Sequence, residues 1–341
     1  MKTIRLAVIT PISNGTGGAE RYYRGAVRAL NFDNVVAEHI QVPSDESAFE
    51  TILESHLRFY NLDLSAYDGV ISTKAPSYMV RHRNHVCWLL HTIRVFYDMF
   101  DEEFPSPGPE LLEQRDFILG VDTRALSFPH IRKLFTIGQE VSERLSRFNR
   151  LESTVLHPPL ERDCFQFQQG GRGYAFIVSR LHRWKRVDLA IRAMRHVTAP
   201  MELLIAGTGE DEAYFRNLAG SDSRIRFLGY VDDEEIIKLY SNACAVPFLP
   251  LREDFGYITL EAFQSGKPVI TCTDSGEPAR MVRHGISGFV VPPDPVEIGH
   301  AMQFCYDHPE RSAEMGSLGA ASIRHIRWEA VRTQLLAALG F

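Results

Sequence analysis

Residues Tyr174–Arg186 read YAFIVSRLHRWKR, which predicts a buried β-strand, a polar loop and the start of a helix. Short apolar runs rich in β-branched residues alternate with helical patterns on both sides of this stretch. Such alternation is typical of a parallel sheet covered by helices. The sequence therefore predicts an α/β fold.

The alternation is interrupted once, at residues 157–173, where prolines and glycines break the periodicity. We interpret this segment as an interdomain linker. We therefore expect two Rossmann-like domains, each a doubly wound parallel sheet, at residues 1–160 and 174–325, facing each other across a cleft. Residues 326–341 predict a terminal helix that packs on the first domain. Because open α/β sheets bind ligands at the carboxyl ends of their strands, loops that follow strands are the candidate sites.

The composition excludes several classes of protein. The chain has 341 residues, of which 45% are hydrophobic and 23% charged, so it is neither disordered nor fibrous. Its net charge of -6 argues against a surface built for nucleic acid. The five cysteines form no C-x-x-C pair, and no apolar run reaches the length of a membrane span. We expect a cytoplasmic protein, with peripheral contact to the inner face of the membrane as an alternative.

Two candidate sites follow strands of the first domain. Glycines at 15, 17 and 18 stand between the first strand and a helix, where backbone amides attract an anion. A third glycine of the dinucleotide fingerprint would fall at Glu20, which disfavours an oxidoreductase. The predicted strand Val86–His91 places His91 at the carboxyl edge of the sheet, as a hydrogen-bond donor or proton carrier. The alternative for the glycine loop is a turn that binds no ligand, and the alternative for His91 is a purely structural role.

Two basic residues follow the first strand of the second domain. Arg180 and Lys185 lie five positions apart, with a helix predicted to begin near Lys185. Such a pair can neutralise a diphosphate, Arg through its planar fork and Lys as a point charge. Cations at a helix start oppose the helix dipole, so their placement favours an anionic ligand.

The stretch Arg252–Pro268 reads REDFGYITLEAFQSGKP and combines two carboxylates with a predicted helix start. Glu253 follows a strand that ends at Pro247, and Gly256 is predicted to cap the helix that carries Glu261. Amides near the cap predict an anion site, and a carboxylate beside it suits ligand hydroxyls. Two glutamates at this spacing are also common by chance.

Taken in order along the chain, these motifs resemble those of the retaining glycosyltransferases of family 4, which have the GT-B fold. The resemblance covers nearly the whole chain and is strongest from Tyr174 to Pro293. It includes Gly17-Gly18-Ala19-Glu20, the pair Arg180 and Lys185, the pattern Glu253-x7-Glu261, and Gly266-Lys267-Pro268.

The resemblance implies a role for each candidate residue. Arg180 and Lys185 would bind the donor diphosphate, Glu253 the hydroxyls of the transferred sugar, and Glu261 the ribose. His91 would touch the donor sugar and, with Arg180, Lys185 and Glu253, form the catalytic set. The remaining donor contacts are expected at Gly17, Gly18, Val231, Gly256, Tyr257 and Ile258.

The implied reaction is transfer of a hexose, with mannose a candidate, from a nucleotide-diphosphate sugar to a saccharide or lipid-linked acceptor. No D-x-D sequence is present, and we expect no metal and no other cofactor. Retention would proceed by front-face attack or through a covalent intermediate. A nucleotide-sugar epimerase of the same fold, a GT-B phosphorylase and a non-catalytic sugar-nucleotide-binding subunit are the alternatives.

Overall fold

The computed structural model describes residues 2–12, 17–161, 164–165, 167–168, 171 and 173–341. It divides into two compact units. Unit 1 comprises Met1–Glu161 and Ile326–Phe341, and unit 2 comprises Arg162–His325. Gly15 and part of the predicted linker lie outside the described residues.

Unit 1 is built on a six-stranded parallel sheet. The strands are β1 (Ile4–Pro11), β2 (Val35–Val42), β3 (Gly69–Ser72), β4 (His85–Leu89), β5 (Lys133–Thr136) and β6 (Thr154–Val155). The helices before the crossover to unit 2 are α1 (Gly18–Leu30), α2 (Phe49–Tyr60), α3 (Phe100–Glu103), α4 (Pro109–Ala125) and α5 (Gln139–Asn149). The sheet order is β2-β1-β3-β4-β5-β6. Every residue of β3 and β4 is buried, as expected when helices cover both faces of a parallel sheet.

Unit 2 contains two three-stranded parallel sheets. The strands are β7 (Tyr174–Val178), β8 (Glu202–Ala206), β9 (Ile225–Gly229), β10 (Val246–Pro247), β11 (Val269–Cys272) and β12 (Gly288–Val291). The helices are α6 (Val187–Ala193), α7 (Glu212–Ala219), α8 (Asp233–Asn242), α9 (Tyr257–Gln264), α10 (Glu277–Met281), α11 (Pro295–Asp307) and α12 (Pro309–Ser322).

The two sheets of unit 2 meet along β7. The amide of Phe176 donates to Ala245 O at 3.0 Å, and the amide of Cys244 donates to Tyr174 O at 2.9 Å. Read across this junction, the strand order is β9-β8-β7-β10-β11-β12. Chain order reverses between β7 and β10, so the carboxyl ends of these strands form the topological switch point of unit 2.

The α/β prediction with doubly wound parallel sheets is confirmed, and several element boundaries differ from those predicted. The strand β4 ends at Leu89 rather than at His91, because the amide of Leu90 bonds to Thr73 O at 2.8 Å outside the ladder. The helix predicted near Lys185 begins instead at Val187, after a 3-10 turn at Arg183–Lys185. Within the described ranges, no helix has both the length and the apolar character needed to cross a bilayer.

The last helix, α13 (Trp328–Leu339), belongs to unit 1 and packs on α1 and β4. The Trp328 ring occupies the space that a Cβ at Gly25 would need. The same ring meets Trp88 edge to face, with centroids 6.3 Å apart, and its Nε1 donates to Leu160 O at 2.8 Å. The glycine in α1 therefore permits the close approach of the Trp328 ring of α13 to α1.

Substituting Gly25→Val should lower the free energy of unfolding by about 1–3 kcal/mol, because the new side chain displaces the Trp328 ring. Urea unfolding followed by circular dichroism measures this change. Gly120→Ala in α4 is the matched control, since a Cβ there meets nothing within 4 Å and should stabilise the helix by about 0.5–1 kcal/mol. Equal stability of the two variants would contradict the packing described.

Candidate active site

Arg180 lies just beyond the carboxyl end of β7 and is paired with a carboxylate. Its Nη2 and Nε lie 2.9 Å and 3.1 Å from the two carboxylate oxygens of Glu210. The pKa of Glu210 is lowered, chiefly by a hydrogen bond from its own backbone amide and further by the Arg180 charge. The side chains are 71% and 46% exposed, and exposed pairs contribute only about 0–1 kcal/mol. A more highly charged anion could therefore replace Glu210.

Lys185 and Glu253, which lie far apart in the sequence, form an ion pair in the structure. Lys185 Nζ lies 2.6 Å from Glu253 Oε2, and the two side chains are 28% and 19% exposed. Lys185 comes from the loop after β7, and Glu253 from the loop after β10. Because β7 and β10 flank the switch point, the pair lies where an open α/β sheet binds its ligands.

The loop that carries Glu253 is held against the loop after β11. The amides of Arg252 and Glu253 donate to Asp274 O and Ser275 O, each at 2.9 Å, and the amide of Glu277 donates to Glu253 O at 3.0 Å. A Cβ at Gly276 would lie 2.5 Å from Glu253 O, so this approach requires glycine. The backbone of Glu253 is thus fixed on both its donor and its acceptor side.

Arg186, which the sequence reasoning missed, joins the same loops. Its φ of +47° is left-handed, a conformation that costs a non-glycine residue about 1–2 kcal/mol. Its guanidinium donates to the carbonyls of Leu249 and Pro250 and to both carboxylate oxygens of Asp274.

The helix α9 begins where the sequence predicts. Gly256 precedes it at φ +77°, and a Cβ there would lie 2.5 Å from the Phe248 ring. Tyr257 and Ile258 form its first turn and are partly exposed. Glu261, by contrast, is only 5% exposed, and its Oε2 accepts a hydrogen bond from Tyr240 at 2.8 Å. The structure therefore places Glu261, the residue predicted to bind the ribose, in a buried, hydrogen-bonded position.

Val231 follows β9, two residues beyond its last residue, Gly229. It is partly buried and packs on the cluster that contains Phe176 and Tyr240. Since β9 runs parallel to β8 and β8 to β7, Val231 follows the same carboxyl edge of the sheet as Arg180. Because its side chain is apolar, only its backbone or its apolar surface could contact a ligand.

The other predicted residues belong to unit 1. His91 lies two residues beyond β4, and its Nδ1 is 2.7 Å from Thr92 O. Because a carbonyl oxygen only accepts, Nδ1 carries a proton, and in a neutral ring Nε2 is then an acceptor. Donation to a substrate hydroxyl would require the doubly protonated ring. Gly17 precedes α1 in an extended conformation, and Gly18 is the first residue of that helix.

Among the described residues, no group of three or more histidine, cysteine, aspartate or glutamate side chains is arranged to hold a metal ion. The charges brought together in unit 2 are instead those of Arg180, Lys185 and Arg186 with their carboxylate partners. All three cations follow β7, and two of them, Arg180 and Lys185, were predicted from the sequence.

Solved structures of low sequence identity share the fold over almost the whole chain. Sucrose-phosphate synthase from Thermosynechococcus elongatus superposes with a TM-score of 0.76 at 18% identity, covering 97% of each chain. HepE from Anabaena, solved in complex with UDP-glucose, gives 0.72 at 16% identity, covering 99% of each chain. The chain has the GT-B fold.

The segment that matches a family model lies within unit 2 of this GT-B fold. Residues 164–320 match the family model described as Glycosyl transferases group 1. The chain is 30% identical to D-rhamnosyltransferase WbpZ of Pseudomonas aeruginosa over 159 residues, which are 46% of this chain and 42% of that protein. It is 25% identical to human alpha-1,3/1,6-mannosyltransferase ALG2 over 212 residues, which are 53% and 50%. The chain thus spans about half the length of these curated relatives, or less.

Substituting Gly276→Ala should displace Glu253, because the added methyl group meets its carbonyl oxygen. Gly285→Ala is the matched control, since Gly285 has a similar φ (+71° against +73°) and nothing within 4 Å of a Cβ. We expect the control to lose about 1–2 kcal/mol of unfolding free energy from the left-handed backbone, and Gly276→Ala to lose about 1–3 kcal/mol more. Urea titration compares them, and indistinguishable midpoints would contradict this account of the loop.

Proposed function

We propose that this protein is a glycosyltransferase that moves a hexose from a nucleotide-diphosphate sugar to a saccharide or lipid-linked saccharide acceptor, with retention at the anomeric carbon. The observation that carries the proposal is the Lys185–Glu253 ion pair at the switch point of unit 2. The match to Glycosyl transferases group 1 over residues 164–320 supports it, because both residues lie inside the matched segment.

The charges of the site suit cleavage of a glycosyl phosphate bond. As the bond between the anomeric carbon and the phosphate oxygen breaks, its electron pair passes to the leaving diphosphate and the sugar ring becomes electron-deficient. Fixed cations stabilise that developing negative charge without reorganising. We assign this task to Lys185 and Arg180, assisted by the backbone amides of Gly256, Tyr257 and Ile258 at the start of α9.

The carboxylate of Glu253 is assigned to the sugar. A carboxylate can accept about four hydrogen bonds, so the bond from Lys185 leaves capacity for sugar hydroxyls. Their binding would orient the anomeric carbon toward the acceptor, and orientation of this kind supplies much of the rate of a two-substrate reaction. Glu261, with Tyr240 on its Oε2, and Val231 are assigned to the nucleoside.

Retention is proposed to arise by front-face attack. The acceptor oxygen forms a bond to the anomeric carbon on the face that the diphosphate leaves, and the acceptor proton passes to a departing phosphate oxygen. The cations named above could supply the charge stabilisation that a divalent metal provides elsewhere, so we propose that turnover needs no metal. We keep the predicted contact of His91 with the donor sugar and the predicted donor contacts of Gly17 and Gly18.

Mannose is our first candidate for the transferred sugar. The chain resembles a D-rhamnosyltransferase and a mannosyltransferase over about half its length. An O-antigen chain mannosyltransferase from Escherichia coli is also 28% identical over 185 residues. The first donor to test is therefore GDP-mannose, with UDP-sugars next because HepE was solved with UDP-glucose.

Incubation of the purified protein with GDP-, UDP- and dTDP-sugars should reveal one donor that raises Tm and releases its nucleotide in the presence of a saccharide acceptor. The rate should stay the same in EDTA. Binding without turnover would identify a non-catalytic subunit, and conversion of the sugar without acceptor would identify an epimerase. If no nucleoside diphosphate shifts Tm, the proposed donor site is wrong.

Lys185→Ala and Glu253→Ala should each lower kcat by about a hundredfold or more, because each removes a charge aimed at the reacting groups. The surface pair Lys238 and Glu235 on α8, with side chains 64% and 53% exposed, supplies the matched control substitutions. Those two alanine variants should keep the wild-type rate, and circular dichroism should show all four folded. Wild-type turnover in Lys185→Ala or Glu253→Ala would contradict the role assigned to that residue.

A further inference from the structure

Arg186 adopts a conformation that its residue type disfavours. Its φ of +47° falls in the left-handed region, where glycine is the usual residue. It stands between the 3-10 turn that ends at Lys185 and the first residue of α6, Val187. Non-glycine residues in this region persist only when surrounding contacts hold them, and they concentrate at functional sites.

The surrounding contacts of Arg186 are made by its guanidinium. Nε donates to Leu249 O at 2.7 Å, and Nη2 donates to Pro250 O at 2.9 Å, both in the segment after β10. Nη1 and Nη2 reach the two carboxylate oxygens of Asp274 at 2.8 Å and 2.6 Å, in the loop after β11. The Arg186 side chain is 16% exposed. Only the planar fork of an arginine could make this set of contacts, which a lysine cannot reproduce.

These contacts join the three loops that meet around the ion pair. Arg186 is bonded covalently to Lys185, so fixing its side chain fixes the backbone that carries the ammonium. Asp274 O and Ser275 O accept from the amides of Arg252 and Glu253. One guanidinium therefore anchors the segment before Glu253 and the loop against which Glu253 rests.

We propose that Arg186 is a positioning residue that fixes Lys185 and Glu253 relative to each other. The ammonium and the carboxylate then meet a ligand in one fixed arrangement. Its importance for turnover rests on the proposed glycosyl transfer. Its effect on the ion pair does not depend on that function and can be measured without a substrate.

A second arginine of unit 2 supplies a matched control. Arg224 donates to Val197 O at 2.7 Å and Met194 O at 2.8 Å and binds both carboxylate oxygens of Asp222. It makes the same kinds of contact as Arg186, but it immediately precedes β9 and so lies toward the amino end of the sheet. Removing the Arg224 side chain should lower the stability of the fold without disturbing the Lys185–Glu253 pair.

The first test measures how fast Lys185 is acetylated by limiting sulfo-NHS-acetate, quantified by peptide mass spectrometry against exposed Lys238. Arg186→Gly suits the left-handed backbone and removes the guanidinium. It should raise the relative rate at Lys185 at least threefold, because the ammonium is released from Glu253. Arg224→Gly should leave that rate unchanged. Lys267, only 1% exposed, reports on global unfolding and should stay protected in both variants.

Asp274→Asn provides a second variant, because it weakens the contact with the Arg186 guanidinium and keeps the side-chain volume. It should also raise Lys185 labelling, by a smaller factor. An unchanged Lys185 rate in Arg186→Gly, with Lys267 protected, would overturn the proposal. If Arg186→Gly exposes Lys267, the Asp274→Asn variant decides the test instead. An unchanged Lys185 labelling rate in Asp274→Asn would then overturn the proposal.

The second test measures transfer. Arg186→Gly should lower kcat at least tenfold while the KM for the acceptor stays within twofold, and Arg224→Gly should keep the wild-type kcat. Faster Lys185 labelling combined with wild-type kcat would overturn the role in turnover. If the wild-type chain transfers no sugar, the proposed function fails, and the labelling experiment still decides whether Arg186 positions the pair.

Discussion

The ion pair between Lys185 Nζ and Glu253 Oε2, 2.6 Å apart, is the interaction on which the site of unit 2 depends. It is possible because parallel strands bring their carboxyl ends to one edge, and because the strand order of unit 2 reverses between β7 and β10. Loops that leave neighbouring strands in opposite directions open a space at that edge. Both charges face it from loops whose backbones are hydrogen-bonded.

Holding these charges requires backbone conformations that are unfavourable by themselves. Arg186 and Arg252 both have positive φ, and Gly276 approaches Glu253 too closely for any side chain. The hydrogen bonds of the Arg186 guanidinium and of the Asp274–Ser275 backbone offset this strain. Strain concentrated in this way is typical of sites that must hold a fixed geometry for a ligand.

Arg180, Lys185 and Glu253 could be picked out from the sequence because each follows a predicted strand and carries a charge. The fold class could be predicted for a similar reason, since alternating strands and helices leave few ways to bury a parallel sheet. Arg186 was missed because its residue type does not reveal a left-handed backbone. The pairing of Arg180 with Glu210 was missed because the two are thirty residues apart and nothing local links them.

The amino-acid sequence by itself determined the parallel α/β class, the loops that carry charge and the helix start at Gly256, because these depend on local periodicity and residue type. Only the tertiary structure decided that Lys185 meets Glu253, that Arg186 joins three loops, and that Glu261 is buried against Tyr240. Those outcomes depend on which strands are neighbours, and strand order arises from packing over the whole unit rather than from any short stretch.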